Sequence, residues 1–194
     1  MPYGDMCILD HDVWGPALRQ RPLIDAADAI LSGDKLQLWH DNWFHPFDDD
    51  YWSPIHFSDA QLAELDIPIF FTDGWYDLTL GPIDYFSRLE KIKPDGLRWL
   101  LVGPWNHAQT YSHWLHDQDN GDRKMPRNAA LDLVAQRITF FDTYLKNESQ
   151  AQNPSIQTDR VKVYITGVNL WMDYPTFPAP GTRDLLLFLR SEGS

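Results

Sequence analysis

The sequence predicts an α/β fold built on a parallel sheet, and three observations carry that expectation. Two short, almost purely apolar runs, residues 67–72 (IPIFFT) and 97–102 (LRWLLV), end at Asp73-Gly74 and Gly103-Pro104. Runs of this length, without polar alternation, suit strands buried on both faces. Between them Ile83, Phe86 and Leu89 recur at helical spacing. Strand, helix, strand in this order implies a parallel pair joined by a right-handed crossover.

Residues 1–56 precede this unit and are rich in Trp, His, Asp and Pro, the texture of a lid rather than a core. One helix is predicted there, with Asp25 as N-cap, AADAILS as its body and Gly33 just beyond its end. In the crossover helix Pro82 fits the first turn, and Lys91, Lys93, Pro94 and Gly96 are stop signals. From Asn128 to Lys146 a longer helix is predicted, with Leu131, Val134, Ile138, Phe141 and Leu145 on its buried face. The polar segment ESQAQNPSIQTD reads as a linker. After it Val161, Val163 and Ile165 alternate with Lys162, Tyr164 and Thr166, the period of a half-buried strand. Residues 185–189 are predicted as a further strand, with WMDYPTFPAPGTRD as loop between the two. Three regions are therefore expected: 1–56, 57–150 and 151–194.

Composition narrows the function. The 194 residues are 43% hydrophobic and 23% charged, which is globular rather than disordered. A net charge of −12 repels phosphates and anionic lipid, so neither nucleic acid nor a membrane is an expected partner. No segment approaches the roughly 20 apolar residues of a membrane span. No signal peptide is read in MPYGDMCILDHDVW, and no localisation is assigned. Cys7 has no second cysteine to pair with and fits no metal or redox spacing. His113 and His116, with Asp117 and Asp119 nearby, are read as loop residues rather than metal ligands. No cofactor is called for.

In open α/β sheets, ligands bind beyond the carboxyl ends of the strands. Asp73-Gly74-Trp75-Tyr76-Asp77 follows the first strand, and Gly103-Pro104-Trp105-Asn106-His107 follows the second. Adjacent parallel strands lie about 4.8 Å apart, so their outgoing loops can bring a carboxylate to an imidazole. An acid that orients a histidine base is the supporting half of a nucleophilic triad. The order acid then histidine is that of α/β-hydrolases, whose serine comes earlier in the chain.

The words themselves are more specific. IPIFFTDGWYD followed by LLVGPWNHA resembles the cocaine esterase and X-Pro dipeptidyl-peptidase family of α/β-hydrolases, which also contains the α-amino-acid ester hydrolases. That family runs one apolar strand into G-W-x-D and another into G-P-W-x-H. His45-Pro46-Phe47-Asp48-Asp49-Asp50-Tyr51-Trp52 resembles the H-P-x-x-D-x-x-W segment that closes its helical cap. FFDTYLK (140–146) resembles its last hydrolase helix. Val161 to Ile165, with Gly167 and Trp171, resembles the opening of its C-terminal jelly roll. The resemblance implies the end of a cap in 1–56, the late part of the hydrolase domain in 57–150, and the start of a β domain in 151–194. It implies Asp77 as triad acid and His107 as triad base. Leu78 and Thr79, which follow the acid, are expected to face substrate, a small ester or peptide. Asp73 is expected to support the turn, and Trp75 and Trp105 to wedge into the top of the sheet.

The nucleophile is missing from this pattern. Serines stand at 32, 53, 58, 87, 112, 149, 155, 191 and 194, and none lies in G-x-S-x-G. The chain is therefore expected to be a piece of a longer enzyme, inactive alone, whose partner is the remaining half. A second reading makes the chain a carbohydrate-active or carbohydrate-binding module, with Asp73 and Asp77 as paired carboxylates and tryptophans stacking on sugar. It leaves His107 without a role.

Overall fold

The two apolar runs do form adjacent parallel strands. A computed structural model describes residues 15–30, 37–79, 81–111, 124–146 and 159–188, which divide into two compact units, 1–58 and 59–194.

In the first unit a 3-10 turn at Leu23–Asp25 leads into α1 (Ala26–Ile30), followed by α2 (Gln37–Phe44). The Trp39 indole N–H donates to Ile24 C=O at 2.7 Å, and His40 Nε2 meets both Asp28 oxygens at 2.8 and 2.9 Å. These contacts tie α2 to the segment before it. The histidine–proline segment is internally bonded as well. His45 Nδ1 lies 2.8 Å from Asp49 Oδ2, the Trp52 indole donates to His45 C=O at 2.8 Å, and the Tyr51 ring stacks on His45 at 4.2 Å. The Tyr51 hydroxyl in turn donates to Asp41. His45, Asp49 and Trp52 thus partner one another, a structural reason for their spacing.

The second unit opens with α3 (Asp59–Ala63), then β1 (Ile69–Tyr76), α4 (Gly81–Ile92), β2 (Arg98–Asn106) and α5 (His107–Tyr111). A 3-10 turn at Arg127–Ala129, α6 (Leu133–Leu145), β3 (Val161–Ile165) and β4 (Leu170–Tyr174) follow. The four strands form one mixed sheet in the order β1-β2-β3-β4, with β1, β2 and β3 parallel and β4 antiparallel to β3. Because β2 lies between two strands it is buried from Arg98 to Trp105. Alternate residues feed two cores. Leu100 and Val102 join Phe86, Val161 and Val163 on the α4 side, while Leu101 and Trp105 join Leu133 on the α6 side.

Several expectations change. Both strands run past the predicted ends, β1 to Tyr76 and β2 to Asn106, because a bulge lets the ladder continue beyond Pro104. α6 is shorter than predicted and is capped by Asp132, whose carboxylate accepts from Ala135 N–H at 2.9 Å. It also turns a different face inward. Leu133, Phe140 and Tyr144 pack toward the sheet, with the Phe140 ring 5.6 Å from Phe70 and 5.9 Å from Trp99. Ile138, Phe141 and Leu145, predicted as core, are more than half exposed. Ring packing against Phe70 and Trp99 decides the rotation, since large rings bury the most area per contact.

Part of the predicted loop is β4, which pairs with β3 through a turn with Gly167 at φ 88° and Asn169 at φ 59°. Lys162 and Asp173 face each other in that hairpin at 2.6 Å. Nor is β3 half-buried: Tyr164, on the face expected to be wet, is fully covered, with Trp171 edge-on at 5.2 Å. Residues 185–188 form no strand and are highly exposed. The linker before Asp159, Cys7, His113, His116, Asp117 and Asp119 lie outside the described residues.

Candidate active site at the carboxyl ends of β1 and β2

The register of the β1–β2 ladder builds the site. Ile69 pairs with Arg98 and the pairing runs without a slip to Gly74 opposite Gly103; then Tyr76 pairs with Asn106. One residue of β1 lies between these pairs and two of β2, Pro104 and Trp105, so β2 carries one extra residue. Pro104 has no N–H to contribute to a ladder, so the bulge falls where the sequence can least use a regular bond. The next residues after the Tyr76–Asn106 pair are Asp77 and His107. Without the bulge, Asp77 would lie beside Asn106.

Asp77 is fixed by its backbone N–H, which donates to Gly74 C=O at 3.0 Å. Its Oδ1 accepts from Leu78 N–H at 2.5 Å and lies 3.0 Å from His107 Nδ1. The Asp77 side chain is 7% exposed and that of His107 46%, so the acid is covered while the base reaches solvent. With Nδ1–H donating to a carboxylate, the free lone pair is on Nε2, the nitrogen that can take a proton from a nucleophile. The Tyr111 ring lies edge-on to the imidazole at 5.3 Å.

The two motif glycines answer to packing around Trp105. A Cβ on Gly74 would lie 2.2 Å from Trp105 O, and one on Gly103 would lie 2.4 Å from the Trp105 ring. Trp105 is buried, as expected of a wedge. Trp75 differs. It is partly exposed, and its indole donates to Tyr164 C=O at 2.8 Å, linking the β1 end to β3.

Asp73 is buried beneath the turn, 1% exposed, with Oδ1 accepting from Gly74 N–H at 2.8 Å and Oδ2 without a hydrogen-bond partner. Burial pushes its carboxyl above the usual range, and the negative charge of Asp77 adds to that; N–H groups of Gly74 and of Ile83, in the first turn of α4, act the other way. A carboxyl so covered cannot flank a glycosidic bond, so the pairing of Asp73 with Asp77 required by the carbohydrate reading is not formed. Leu78 extends into solvent beside the pair, 85% exposed, and Thr79 is exposed too. Two grooves, of about 220 and 390 Å³, open elsewhere on this unit, and neither is lined by Asp77 or His107. Among the described residues no cluster of three or more His, Cys, Asp or Glu could hold a metal ion. Sequence reasoning missed the groups around α5, namely Asn106, Gln109 and Arg137; the N-x-x-Q spacing of the first two was the available signal.

Residues 11–109, a stretch that includes both members of the pair, match the family model of the X-Pro dipeptidyl-peptidase (S15 family). The chain belongs to the X-Pro dipeptidyl-peptidase (S15) family. It is similar to the cocaine esterase of Rhodococcus sp. (strain MB1 Bresler), 27% identical over 153 residues, which are 77% of this chain and 25% of the relative. Among solved structures it is similar to an aminopeptidase from a marine sediment Thaumarchaeota archaeon, with a TM-score of 0.64 and 24% identity over 86% of this chain and 26% of that one. It is also similar to a CocE/NonD family hydrolase from Staphylococcus aureus, with a TM-score of 0.50 and 18% identity over 81% of this chain and 25% of that one. These two structures show the shared fold. The chain spans about a quarter of the length of each of these relatives.

Proposed function

We propose that this chain supplies the acid and base of a serine hydrolase acting on esters or peptides, with Asp77 as acid and His107 as base. The observation that carries the reading is the 3.0 Å contact between His107 Nδ1 and the covered Asp77 carboxylate, at the carboxyl ends of adjacent parallel strands. In the reaction a serine hydroxyl attacks the substrate carbonyl and gives its proton to His107 Nε2. Asp77 stabilises the imidazolium so formed, and His107 returns the proton to the leaving alcohol or amine. The serine belongs to polypeptide outside these 194 residues, since no serine of the sequence lies in a nucleophile elbow.

In the same reading, residues 1–56 end a helical cap, 57–150 form the late part of the hydrolase domain, and 151–194 lead into a jelly roll after β3 and β4 have extended the hydrolase sheet. Support comes from the order and spacing of the motifs and from the partnered His45–Asp49–Trp52 segment. Leu78 and Thr79, exposed beside the acid, face the acyl or aminoacyl part of the substrate. The experiment is complementation. The chain alone should neither hydrolyse p-nitrophenyl esters nor react with a fluorophosphonate. Co-expressed with an elbow-bearing N-terminal portion from an S15 relative, it should gain ester or X-Pro peptide hydrolysis that His107→Gln abolishes. Labelling of a serine within this chain, or activity indifferent to His107, would overturn the reading.

A further inference from the structure

A helix of five residues does not hold its shape alone in water, because nucleation costs more than so few internal hydrogen bonds return. α5 is such a helix, and His107 is its first residue. It is held from both ends. At the N-terminal end Asn106 and Gln109 bond reciprocally: Asn106 N–H donates to Gln109 Oε1 at 2.9 Å, and Gln109 N–H to Asn106 Oδ1 at 3.0 Å. This is the geometry of a capping box. Within the turn, buried Thr110 donates from Oγ1 to His107 C=O at 2.6 Å. At the far end Arg137, on α6, donates from Nη2 to Thr110 C=O. That carbonyl belongs to the last turn, where the C=O groups have no intrahelical N–H donor.

We infer that Arg137 is a positioning residue for His107, clamping the α5 turn from α6 so that the imidazole keeps Nδ1 on Asp77. The inference rests on the reading of Asp77 and His107 as acid and base. Arg137 borders a groove otherwise lined largely by apolar residues, among them Ile67, Ile69, Phe70, Phe140 and Phe141. A guanidinium held there loses hydration and requires an acceptor. Thr110 C=O is that acceptor, and it lies three residues from His107. The clamp therefore makes the α6 rotation set by Phe70 and Trp99 a determinant of where the base stands. Displacement of a catalytic group by about 1 Å is enough to cost reactivity of order 10²-fold.

The test needs no nucleophile. In the 194-residue chain labelled with ¹⁵N-histidine, the low-field Nδ1–H resonance of His107, assigned by its loss in His107→Gln, reports the bond to Asp77. Asp77→Asn removes the carboxylate and should remove the resonance. Arg137→Met, which suits the apolar groove, should also lose or broaden it while circular dichroism shows the fold retained. Arg137→Lys, which keeps a donor near the carbonyl, should restore it. If Arg137→Met does not fold, Arg137→Leu, which also carries no donor, takes its place with the same expected loss. A resonance kept in the folded neutral variant, or a lysine variant no better than methionine, overturns the inference alone. A resonance absent from the unsubstituted chain, or surviving Asp77→Asn, overturns the acid–base pair and the inference with it.

Discussion

Gly74 lies so close beneath the Trp105 carbonyl that a methyl group in place of its hydrogen would come within 2.2 Å of the oxygen. This approach lies at the bulge in the β1–β2 ladder, shortly before Asp77 and His107, the proposed acid and base. Gly74→Ala forces backbone to move, so it is expected to destabilise the chain by about 3 kcal/mol, the upper end of ordinary overpacking. Gly81→Ala meets nothing within 4 Å and is the control. It should leave stability level or raise it by about 0.5 kcal/mol. Urea midpoints of the two variants check this.

Asp77→Asn in the complemented enzyme should leave substrate binding nearly intact and lower turnover by about 10⁴-fold. That is the cost of holding the histidine in the wrong tautomer in the protease triad. The comparison of kcat with KM for an activated ester decides it. A loss confined to KM would place Asp77 in binding rather than proton transfer.

The raised carboxyl of Asp73 has a signed consequence for stability. A folded-state value above the unfolded one, about 3.9 for an aspartate, means that the native state holds its proton longer. Stability contributed by the neutral form is complete below the unfolded value. It is lost as pH rises from there through the folded value, after which the penalty is constant. Asp73→Asn removes the titration. The variant should match the parent below the unfolded value, exceed it increasingly as pH rises to the folded value and exceed it by a constant margin above that, as read from urea midpoints at several pH values.

The α6 face bearing Ile138, Phe141 and Leu145 is exposed, and β1 is the strand at one edge of the described sheet. An open strand edge beside apolar side chains favours association. The chain in isolation is expected to self-associate, and Ile138→Lys combined with Phe141→Glu to reduce that association without lowering the melting temperature by more than a few degrees. Light scattering against concentration measures it.

Local patterns determined a good deal by themselves. The apolar runs before Asp73 and before Gly103 both become sheet strands. Only the second, β2, lies between two neighbours and is buried along its length, while β1 stands at the edge of the described sheet and is largely half-buried. The Ile83, Phe86, Leu89 spacing fixes which side of α4 is buried, and Phe86 and Leu89 are buried. The aspartate and the histidine were legible because each follows an apolar run closed by a glycine, although the strands themselves run on to Tyr76 and Asn106. Periodicity could not choose between the two apolar faces of α6, since both repeat acceptably. Contact with Phe70 and Trp99, far away in sequence, made that choice. Nor could alternation reveal that Tyr164 is covered, because its cover, Trp171, arrives through a hairpin whose turn residues, Gly167 and Asn169, lay outside the predicted strands.

The run at 185–188 shows the converse: apolar sequence alone did not make a strand, because a strand needs a neighbour to accept its hydrogen bonds. The distance between Asp77 and His107 is likewise a tertiary quantity. It depends on a one-residue bulge at Pro104-Trp105, on the glycines that let Trp105 approach, and on Arg137 reaching across from α6. Sequence named the two groups, since their identity is local chemistry. Only the packed sheet decided that they meet, because register and crossing are set by contacts between segments that sequence holds apart.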